Sequence, residues 1–333
     1  MIKPLKFQYT KTDSNFIAYY EDGKWQKGHL QENDQLTISS MSTALHYGQE
    51  AFEGLKAYKR ADGRVQIFRP DENAKRFKRS CGYLMMPPID ESMFLEAVIK
   101  TVKDNIKYVP DYGTGGSLYI RPYMIGIGNN LGLRPSTKYL FGIVVTPVGP
   151  YFDSGLKPVD LMVSKYDRAA PNGTGSYKIG GNYAASLFAQ GIAKSRGFAD
   201  CIFLDPKTHE KIEEVGAANF FGITKEGAYI TPTSPSILKS ITNMSLQYIA
   251  KHMLHMDVIL SDVYVKDLDH LKEAGACGTA AIITPIRKIC DDDYTHQFPT
   301  NDETGAVTAK LYNILNGIQI GDLPDPDNWM VIV

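Results

Sequence analysis

The chain has 333 residues, of which 43% are hydrophobic and 22% are charged, so it is long enough to bury one large core or two smaller ones. A formal net charge of −1 argues against a nucleic-acid-binding protein, which usually has a strong basic excess. The N-terminus lacks the apolar core of a signal peptide, and no apolar run is long enough to span a bilayer, so we expect a cytoplasmic protein without a membrane partner. The four cysteines lack paired or zinc-like spacing, which predicts reduced thiols and no metal site.

The N-terminal half alternates strand-like runs with helical segments. Two helices are predicted where Asp71 and Asp90 precede segments whose apolar side chains recur at helical spacing. The segment Arg60–Gly63 separates two strand-like runs and predicts a β-hairpin. Strands are predicted at 55–59, 64–68, 117–125 and 139–148.

A change in composition predicts two domains. Residues 148–158 are rich in proline and glycine and have no periodicity, which is typical of a linker. We therefore predict a small N-terminal domain at 1–147 and a larger domain at 159–333. In the larger domain, strands alternate loosely with helices, which predicts an α/β (α+β) fold. The helices are predicted at 183–196, 236–254, 267–274 and 304–316.

Lys178 is the first candidate for chemistry. Gly180 and Gly181 follow it, and two glycines let the backbone turn sharply or pass close to a bound group. Asn182 is a good N-cap for the predicted helix. This context predicts that Lys178 lies in a cleft, where its amine attacks a carbonyl group.

Two nucleotide-binding motifs are tested and rejected. The glycine run at 126–132 is one residue longer than the dinucleotide fingerprint and does not lead into a helix. A P-loop needs glycine before its lysine and serine or threonine after it, but Tyr177 and Ile179 occupy those positions around Lys178. Nucleotide phosphate binding by either route is therefore excluded.

A different phosphate site is possible at the start of the predicted helix near residue 240. The backbone amides of Ser240, Ile241 and Thr242 would bind an anion at a helix N-terminus, and Thr279 in a small-residue loop would add a hydroxyl. The alternative is an ordinary capped helix and a tight turn, which these residues taken alone favour slightly.

Two adjacent acids form a further candidate. Glu214 precedes Gly216 at a predicted strand end, where a carboxylate can face a nitrogen atom of a ligand. For Glu213 we expect an exposed surface position.

Eight segments, in order along the chain, resemble the branched-chain amino acid aminotransferases, which are pyridoxal-phosphate enzymes of fold type IV. One such segment would be weak evidence, but eight in order are difficult to explain otherwise. The segments are HYGQEAFEGLKAY (46–58), RPDENAKRF (69–77), YIRP (119–122), VGPYF (148–152), SYKIGGNYAAS (176–186), EEVGAANFF (213–221), PSILKSIT (235–242) and GTAAIITPI (278–286).

The resemblance implies a two-domain fold with pyridoxal 5′-phosphate between the domains. It implies that Lys178 forms the Schiff base with the cofactor and then moves the substrate proton. Glu214 would pair with the pyridine nitrogen, and Tyr183 would bind the cofactor O3′. The phosphate would be bound by Arg76, Ser240, Ile241, Thr242 and Thr279.

For the substrate, the resemblance implies an aromatic pocket for small aliphatic side chains. The amides of Ala280 and Ala281 would bind the α-carboxylate, and Arg121 would bind the distal carboxylate of glutamate. An alternative for the tyrosines is an ordinary place in the core. The pocket lining would be Tyr47, Phe52, Tyr119 and Tyr151.

The implied activity is reversible ping-pong transfer of the amino group of leucine, isoleucine or valine to 2-oxoglutarate, so the partners are small molecules rather than nucleic acid. The resemblance also implies at least a homodimer, and Met124–Leu133 is our candidate for a loop that reaches the pocket of the partner subunit. The alternatives are a D-amino-acid aminotransferase or aminodeoxychorismate lyase of the same fold, and a non-catalytic pyridoxal-phosphate-binding protein.

The sequence departs from the family pattern at two places. Ser240 and Asn243 stand where the family normally has a glycine and an arginine before the phosphate-binding helix. Ala281 and Thr284 stand where some members have a redox-sensing pair of cysteines, so no such switch is expected.

Overall fold

The computed structural model describes residues 5–150, 156–292, 294–299 and 303–333. The first part of the chain forms β1 (Asn15–Glu21), β2 (Lys24–Trp25), β3 (His29–Gln31), α1 (Thr43–Tyr47), β4 (Glu50–Phe52), β5 (Leu55–Lys59), β6 (Val65–Phe68), α2 (Pro70–Tyr83), α3 (Glu91–Asp104), β7 (Ser117–Gly126) and β8 (Tyr139–Val148). The second part forms β9 (Val159–Val163), α4 (Gly180–Ser195), β10 (Asp200–Leu204), β11 (Ile212–Val215), β12 (Ala218–Thr224), β13 (Tyr229–Thr231), α5 (Ile241–Tyr248), β14 (Val258–Leu260), β15 (Leu271–Gly278), β16 (Ile282–Cys290), β17 (Thr295–Gln297), α6 (Ala306–Ile320) and β18 (Met330–Ile332).

The chain separates into two compact units, of which the first comprises Met1–Tyr151, Tyr177–Gly180 and Ile318–Val333. Its strands run in the order β18-β6-β5-β7-β8-β1-β2, while β3 pairs with β1 and β4 with β7. The C-terminal residues belong to this unit because β18 pairs with β6. The sequence placed both these residues and the Lys178 segment in the larger domain, because neither has a local signal for its partner strand.

The strand register gives the first sheet two different faces. Phe52 lies opposite Tyr123 and Leu55 opposite Ile120, so side chains alternate without interruption from β4 into β5. Helices α2 and α3 pack on the face that carries Ala51, Glu53 and Leu55. The other face carries Phe52, Gly54, Lys56, Tyr119, Arg121 and Tyr123.

Helices α2 and α3 form where the sequence predicted helices, because their apolar residues recur on one side. Phe77 of α2 packs against Phe94 of α3 and Phe141 of β8, with ring centroids 5.5 and 5.7 Å apart. All three side chains are at most 1% exposed. Burying each large apolar side chain contributes roughly 1.5–3 kcal/mol, so this cluster holds both helices against the sheet.

The second unit comprises Phe152–Ser176 and Gly181–Gly317. Its strands run in the order β11-β10-β9-β16-β15-β12-β13-β14, with β17 on β16. An additional pairing of β11 with β12 closes six of these strands into a barrel. Strand β9 is parallel to both neighbours, and the other pairs within the barrel are antiparallel. The mixed content of strands and helices confirms the predicted α/β (α+β) class.

One predicted helix is wrong. Residues 267–274 form part of a short 3₁₀ helix, Val265–His270, and then the start of β15. Strand β15 pairs with β12 on one side and β16 on the other, and this tertiary pairing overrides the local sequence preference. Gly275 is required there, because a Cβ atom would overlap the ring of Phe221.

Helix α4 forms with a start that differs from the predicted one, and the predicted cap at Asn182 is wrong. Helix α4 begins at Gly180, so Asn182 lies inside it and its side chain binds Thr174 instead of capping the helix. The four cysteines are free, and three of them are buried. None of the helices formed by the described residues is long and apolar enough to cross a membrane.

Lys56 carries a buried amine, which should make the stability of the protein depend on pH. The residue is 8% exposed, and burial lowers the pKa of its amine to about 8 from 10.5. Between pH 8 and 10.5 the unfolded chain therefore binds more protons than the folded chain, so Lys56 makes the free energy of unfolding rise with pH in this window. We expect Lys56→Met to be more stable than the wild type at pH 7, by at most about 3 kcal/mol, and this advantage to shrink toward pH 10.

The measurement is urea unfolding of both proteins at pH 7, 8, 9 and 10. Lys24→Met, at an exposed position in β2, is the control, and its difference from the wild type should not change with pH. If the Lys56→Met difference is also independent of pH, Lys56 is not the buried amine that the structure indicates.

Candidate active site

The backbone at Lys178 is fixed on two sides within the first unit. The amide of Phe52 in β4 donates to the Lys178 carbonyl at 3.1 Å, and Ile179 forms a β-bridge with Ala51. The Lys178 amide donates to the Ser80 hydroxyl of α2 at 2.9 Å. The Lys178 amine lies 4.8 Å from the ring centroid of Phe52. The strand and the helix therefore both determine where this amine is presented.

Only the first of the two glycines after Lys178 is required by packing. A Cβ atom on Gly180 would overlap the carboxylate of Glu50, whereas a Cβ on Gly181 would meet nothing within 4 Å. The Glu50 carboxylate accepts a hydrogen bond from the Gly180 amide at the start of α4. Burial raises the pKa of Glu50, and the Gly180 amide and the nearby charge of Arg121 oppose that rise.

Phe52, Tyr119 and Arg121 form a cluster on the open face of the first sheet. Arg121 donates to the Tyr119 hydroxyl at 2.7 Å, and its guanidinium carbon lies 4.8 Å from the Phe52 ring centroid. Gly54 leaves room for this arrangement, since a Cβ there would overlap the Tyr119 hydroxyl. Among the described residues, the buried Nε of Arg121 has no hydrogen-bond partner. Such a group costs free energy unless a ligand satisfies it.

Tyr47, at the end of α1, precedes Phe52 by five residues and is 42% exposed. Its hydroxyl donates to the Leu131 carbonyl, so it holds the loop Met124–Leu133. Tyr151, the last residue of the predicted aromatic pocket, lies outside the described residues.

Arg76 makes a buried ion pair with Glu53. Its Nε and Nη2 donate to the two carboxylate oxygens of Glu53, each at 2.7 Å, and the side chains are 8% and 0% exposed. Glu53 also accepts from the Asn73 side chain at 2.7 Å and from the Gly54 amide at 3.2 Å. Arg76 is therefore held in one orientation, whereas the sequence interpretation considered a phosphate partner or an exposed charge on the helix surface and not an ion pair with Glu53.

Glu214 lies in β11, in the wall of the barrel of the second unit, and is 3% exposed. Its carboxylate accepts from the Leu238 amide at 2.7 Å and forms an ion pair of 3.3 Å with Arg168. Arg168 also donates to the carbonyls of Gly175 and Ser236. These two hydrogen bonds join the loop before α4 to the loop before α5. The Leu238 amide and the Arg168 guanidinium therefore hold this carboxylate in one position.

The expected surface position of Glu213 is wrong. The residue is 4% exposed, and its carboxylate accepts from the hydroxyls of Ser234 and Ser236. Adjacent residues of a strand point in opposite directions, so Glu213 and Glu214 bind different parts of the same loop.

The start of α5 offers two unpaired backbone amides. The Ser240 side chain caps the helix by accepting from the Asn243 amide at 3.2 Å, and the Ser240 amide donates to Asn219 at 3.4 Å. Among the described residues, the amides of Ile241 and Thr242 have no acceptor, although both residues are at most 5% exposed. Two unpaired amides at a helix N-terminus are suited to binding a phosphate.

The remaining predicted residues lie in a turn and in α4. Thr279, Ala280 and Ala281 form the turn between β15 and β16, where Gly278 pairs with Ile282. Tyr183 lies in the first turns of α4 and is half-buried.

Each unit, considered by itself, contains groups that fit the chemistry of pyridoxal phosphate. A primary amine at Lys178, a buried carboxylate at Glu214 and a phenol at Tyr183 are the groups that its carbonyl, ring nitrogen and ring oxygen need. The open amides of Ile241 and Thr242 suit its phosphate.

Sequence reasoning missed four residues that position these groups. Glu53, Arg168 and Asn219 had no motif of their own, and Asn243 was noticed only as a departure from the family pattern. The one available signal was Glu53, an acid next to Phe52 and just before the predicted strand 55–59, since a charged residue in an apolar segment usually has a buried partner.

Comparisons with known proteins identify the family to which this chain belongs. Residues 50–289 match the family model "Amino-transferase class IV". A branched-chain-amino-acid aminotransferase of Haemophilus influenzae is 51% identical over 99% of this chain and 97% of its own length, and one of Helicobacter pylori is 49% identical over 98% and 96%. The crystal structure of a branched-chain amino acid aminotransferase of Escherichia coli superposes with a TM-score of 0.79 at 28% identity, covering 96% of this chain and 99% of that one. The predicted family is confirmed: the chain belongs to the class IV aminotransferases.

Proposed function

We propose that this protein is a branched-chain amino acid aminotransferase, which transfers the amino group of L-leucine, L-isoleucine or L-valine to 2-oxoglutarate with pyridoxal 5′-phosphate as cofactor. The observation that carries the proposal is the cluster of Phe52, Tyr119 and Arg121. Its aromatic rings suit an aliphatic side chain, and the unsatisfied Nε of Arg121 suits the distal carboxylate of glutamate. The names of the Haemophilus influenzae and Helicobacter pylori relatives agree with this assignment.

Three residues, Lys178, Glu214 and Tyr183, have the proposed chemical roles. Pyridoxal phosphate supplies an electron-withdrawing ring that stabilises negative charge at the substrate Cα. Lys178 would hold the cofactor through its amine, and its Nζ would then accept the proton from the substrate Cα and deliver it to C4′ of the cofactor. Glu214 would keep the ring nitrogen protonated, and Tyr183 would donate a hydrogen bond to the ring oxygen.

The remaining groups bind and orient the cofactor phosphate and the substrate. The amides of Ile241 and Thr242, with Arg76 and Thr279, bind the phosphate, whereas Ser240, whose amide is bound by Asn219, caps the helix instead. The amides of Ala280 and Ala281 bind the substrate α-carboxylate, and Tyr47 and Tyr151 complete the aromatic lining.

We further propose a cytoplasmic homodimer. Leu131 and Leu133 are 80% and 84% exposed, and exposed leucines of this kind favour burial against another chain. Tyr47 holds the same loop in place, which supports a role for Met124–Leu133 in the pocket of the partner subunit.

The first test uses Lys178→Ala. We expect the wild type to show an absorption band of lysine-bound cofactor that L-leucine shifts, and to form glutamate from L-leucine and 2-oxoglutarate. The variant should lose the band, and its turnover should fall at least about 10³-fold because both the tether and the base are removed. Lys194→Ala, at an exposed position of α4, is the control. Activity on D-alanine but not on L-leucine would contradict the proposal.

The second test compares the two adjacent acids. Glu214→Gln should retain the cofactor but lower the rate of the half-reaction with L-leucine about 10²-fold, since an amide cannot hold a proton at the ring nitrogen. Glu213→Gln is a matched control, because this side chain is equally buried but faces Ser234 and Ser236. Single-turnover absorbance measures both rates, and equal rates in the two variants would refute the role of Glu214.

The third test separates the two substrates. Arg121→Met should lower kcat/KM for glutamate about 10²-fold, since a charged hydrogen bond contributes about 1.5–3 kcal/mol. The value for L-leucine should change much less, because an aliphatic side chain makes no use of the guanidinium. Steady-state assays in both directions measure this ratio, and a parallel loss for both substrates would mean that Arg121 does not select between them.

A further inference from the structure

Asn243 is the centre of a buried polar network in the second unit. It is 5% exposed, and its side-chain nitrogen donates to Asn219 at 3.1 Å and to the Thr231 hydroxyl at 2.9 Å. Its side-chain oxygen accepts from the Tyr229 hydroxyl at 2.7 Å and from Gln247 at 3.2 Å. Both donors and both acceptor sites of the amide are thus used, which fixes its orientation.

Tyr229 strengthens this network. It is 0% exposed and stacks on Phe221 with the rings 5.2 Å apart. Burial raises the pKa of its hydroxyl well above the usual value, so the hydroxyl stays protonated and donates to Asn243.

Asn219 connects the network to Glu214. The two residues lie directly opposite each other in β11 and β12. They hold the two ends of one residue: Glu214 accepts from the Leu238 amide at 2.7 Å, and Asn219 donates to the Leu238 carbonyl at 2.9 Å. Asn219 also accepts from the Ser240 amide at 3.4 Å, so the segment from Leu238 to Ser240 is held along its length.

Ser240 determines which amides remain available at the helix start. Its side chain accepts from the Asn243 amide, and its own amide is bound by Asn219. A glycine at this position would have no side chain to cap the helix, so the amide of the fourth residue would stay open. The pair Ser240 and Asn243 therefore confines the open amides to Ile241 and Thr242.

We propose that Asn219 and Asn243 are positioning residues, which set the direction and separation of two anchors: the Glu214 carboxylate and the amides of Ile241 and Thr242. The proposal rests on the proposed function, in which one anchor binds the ring nitrogen of the cofactor and the other its phosphate. A rigid ligand gains affinity only when both anchors are held at the right distance. The network supplies that constraint through the short segment that contains Leu238.

The experiment separates positioning from simple stabilisation. Asn243→Ala and Asn219→Ala are compared with Thr308→Val, which removes a different buried hydrogen bond in the same unit, from the Thr308 hydroxyl to Glu273. Three quantities are measured for each protein: the Tm of the cofactor-free form, the dissociation constant of pyridoxal phosphate, and the ³¹P chemical shift of the bound phosphate.

All three variants should lower the Tm. Only the two asparagine variants should also raise the dissociation constant about tenfold, the equivalent of about 1.4 kcal/mol, and move the ³¹P signal. If either variant fails to fold, Tyr229→Phe removes a single hydroxyl from the network and should still move the ³¹P signal.

The outcomes distinguish the two proposals. A lower Tm with an unchanged dissociation constant and ³¹P shift would show that the network only stabilises the fold, and would overturn this inference alone. A wild-type protein that binds no pyridoxal phosphate would overturn the proposed function and this inference with it.

Discussion

The buried carboxylate of Glu53 holds together the part of the site that carries the lysine. It accepts four hydrogen bonds, from Arg76, Asn73 and the Gly54 amide, and it is 0% exposed. Removing one member of a buried ion pair typically costs about 3–5 kcal/mol, because the other charge stays buried without a partner. The pair therefore fixes α2 against β4. Because Ser80 of α2 binds the amide of Lys178, the position of the amine depends on the same pair.

Strand alternation explains why structural and chemical residues occur next to each other in the sequence. Phe52 faces the predicted pocket while Glu53 faces α2, and Glu214 faces Leu238 while Glu213 faces Ser234 and Ser236. In each pair, one side chain is proposed to bind a ligand, and its neighbour fixes the surrounding backbone. A one-residue shift in either strand would exchange these roles, so both sites depend on a strictly kept register.

The sequence predicted most of the regular structure and the family, but not the groups that hold the site residues in place. Helices α2, α3 and α6 were predictable because their apolar residues repeat with a local period. The strand β15 was not, because it depends on pairing with β12 and β16, which are distant in sequence. Likewise, Glu213 looks like a surface acid until the fold brings two serine hydroxyls to its carboxylate. The end of the chain joins the first sheet through β18, and its local sequence contains no signal of this pairing.

The departures from the family pattern at Ser240 and Asn243 likewise could not be interpreted from the sequence alone, because their effect depends on contacts made in the fold. Considered separately, Ser240 lacks the flexibility of the glycine that the family has at this position. Asn243 lacks the positive charge of the family's arginine. In the structure they act together, because the serine caps the helix through the amide of the asparagine, and the asparagine side chain turns inward to Asn219, Thr231 and Tyr229. A buried, fully satisfied amide contributes rigidity that an exposed arginine does not. The chain thus has one fewer cation near the phosphate site and a more rigid frame around its two open amides, and this frame reaches Glu214 through Asn219 and Leu238.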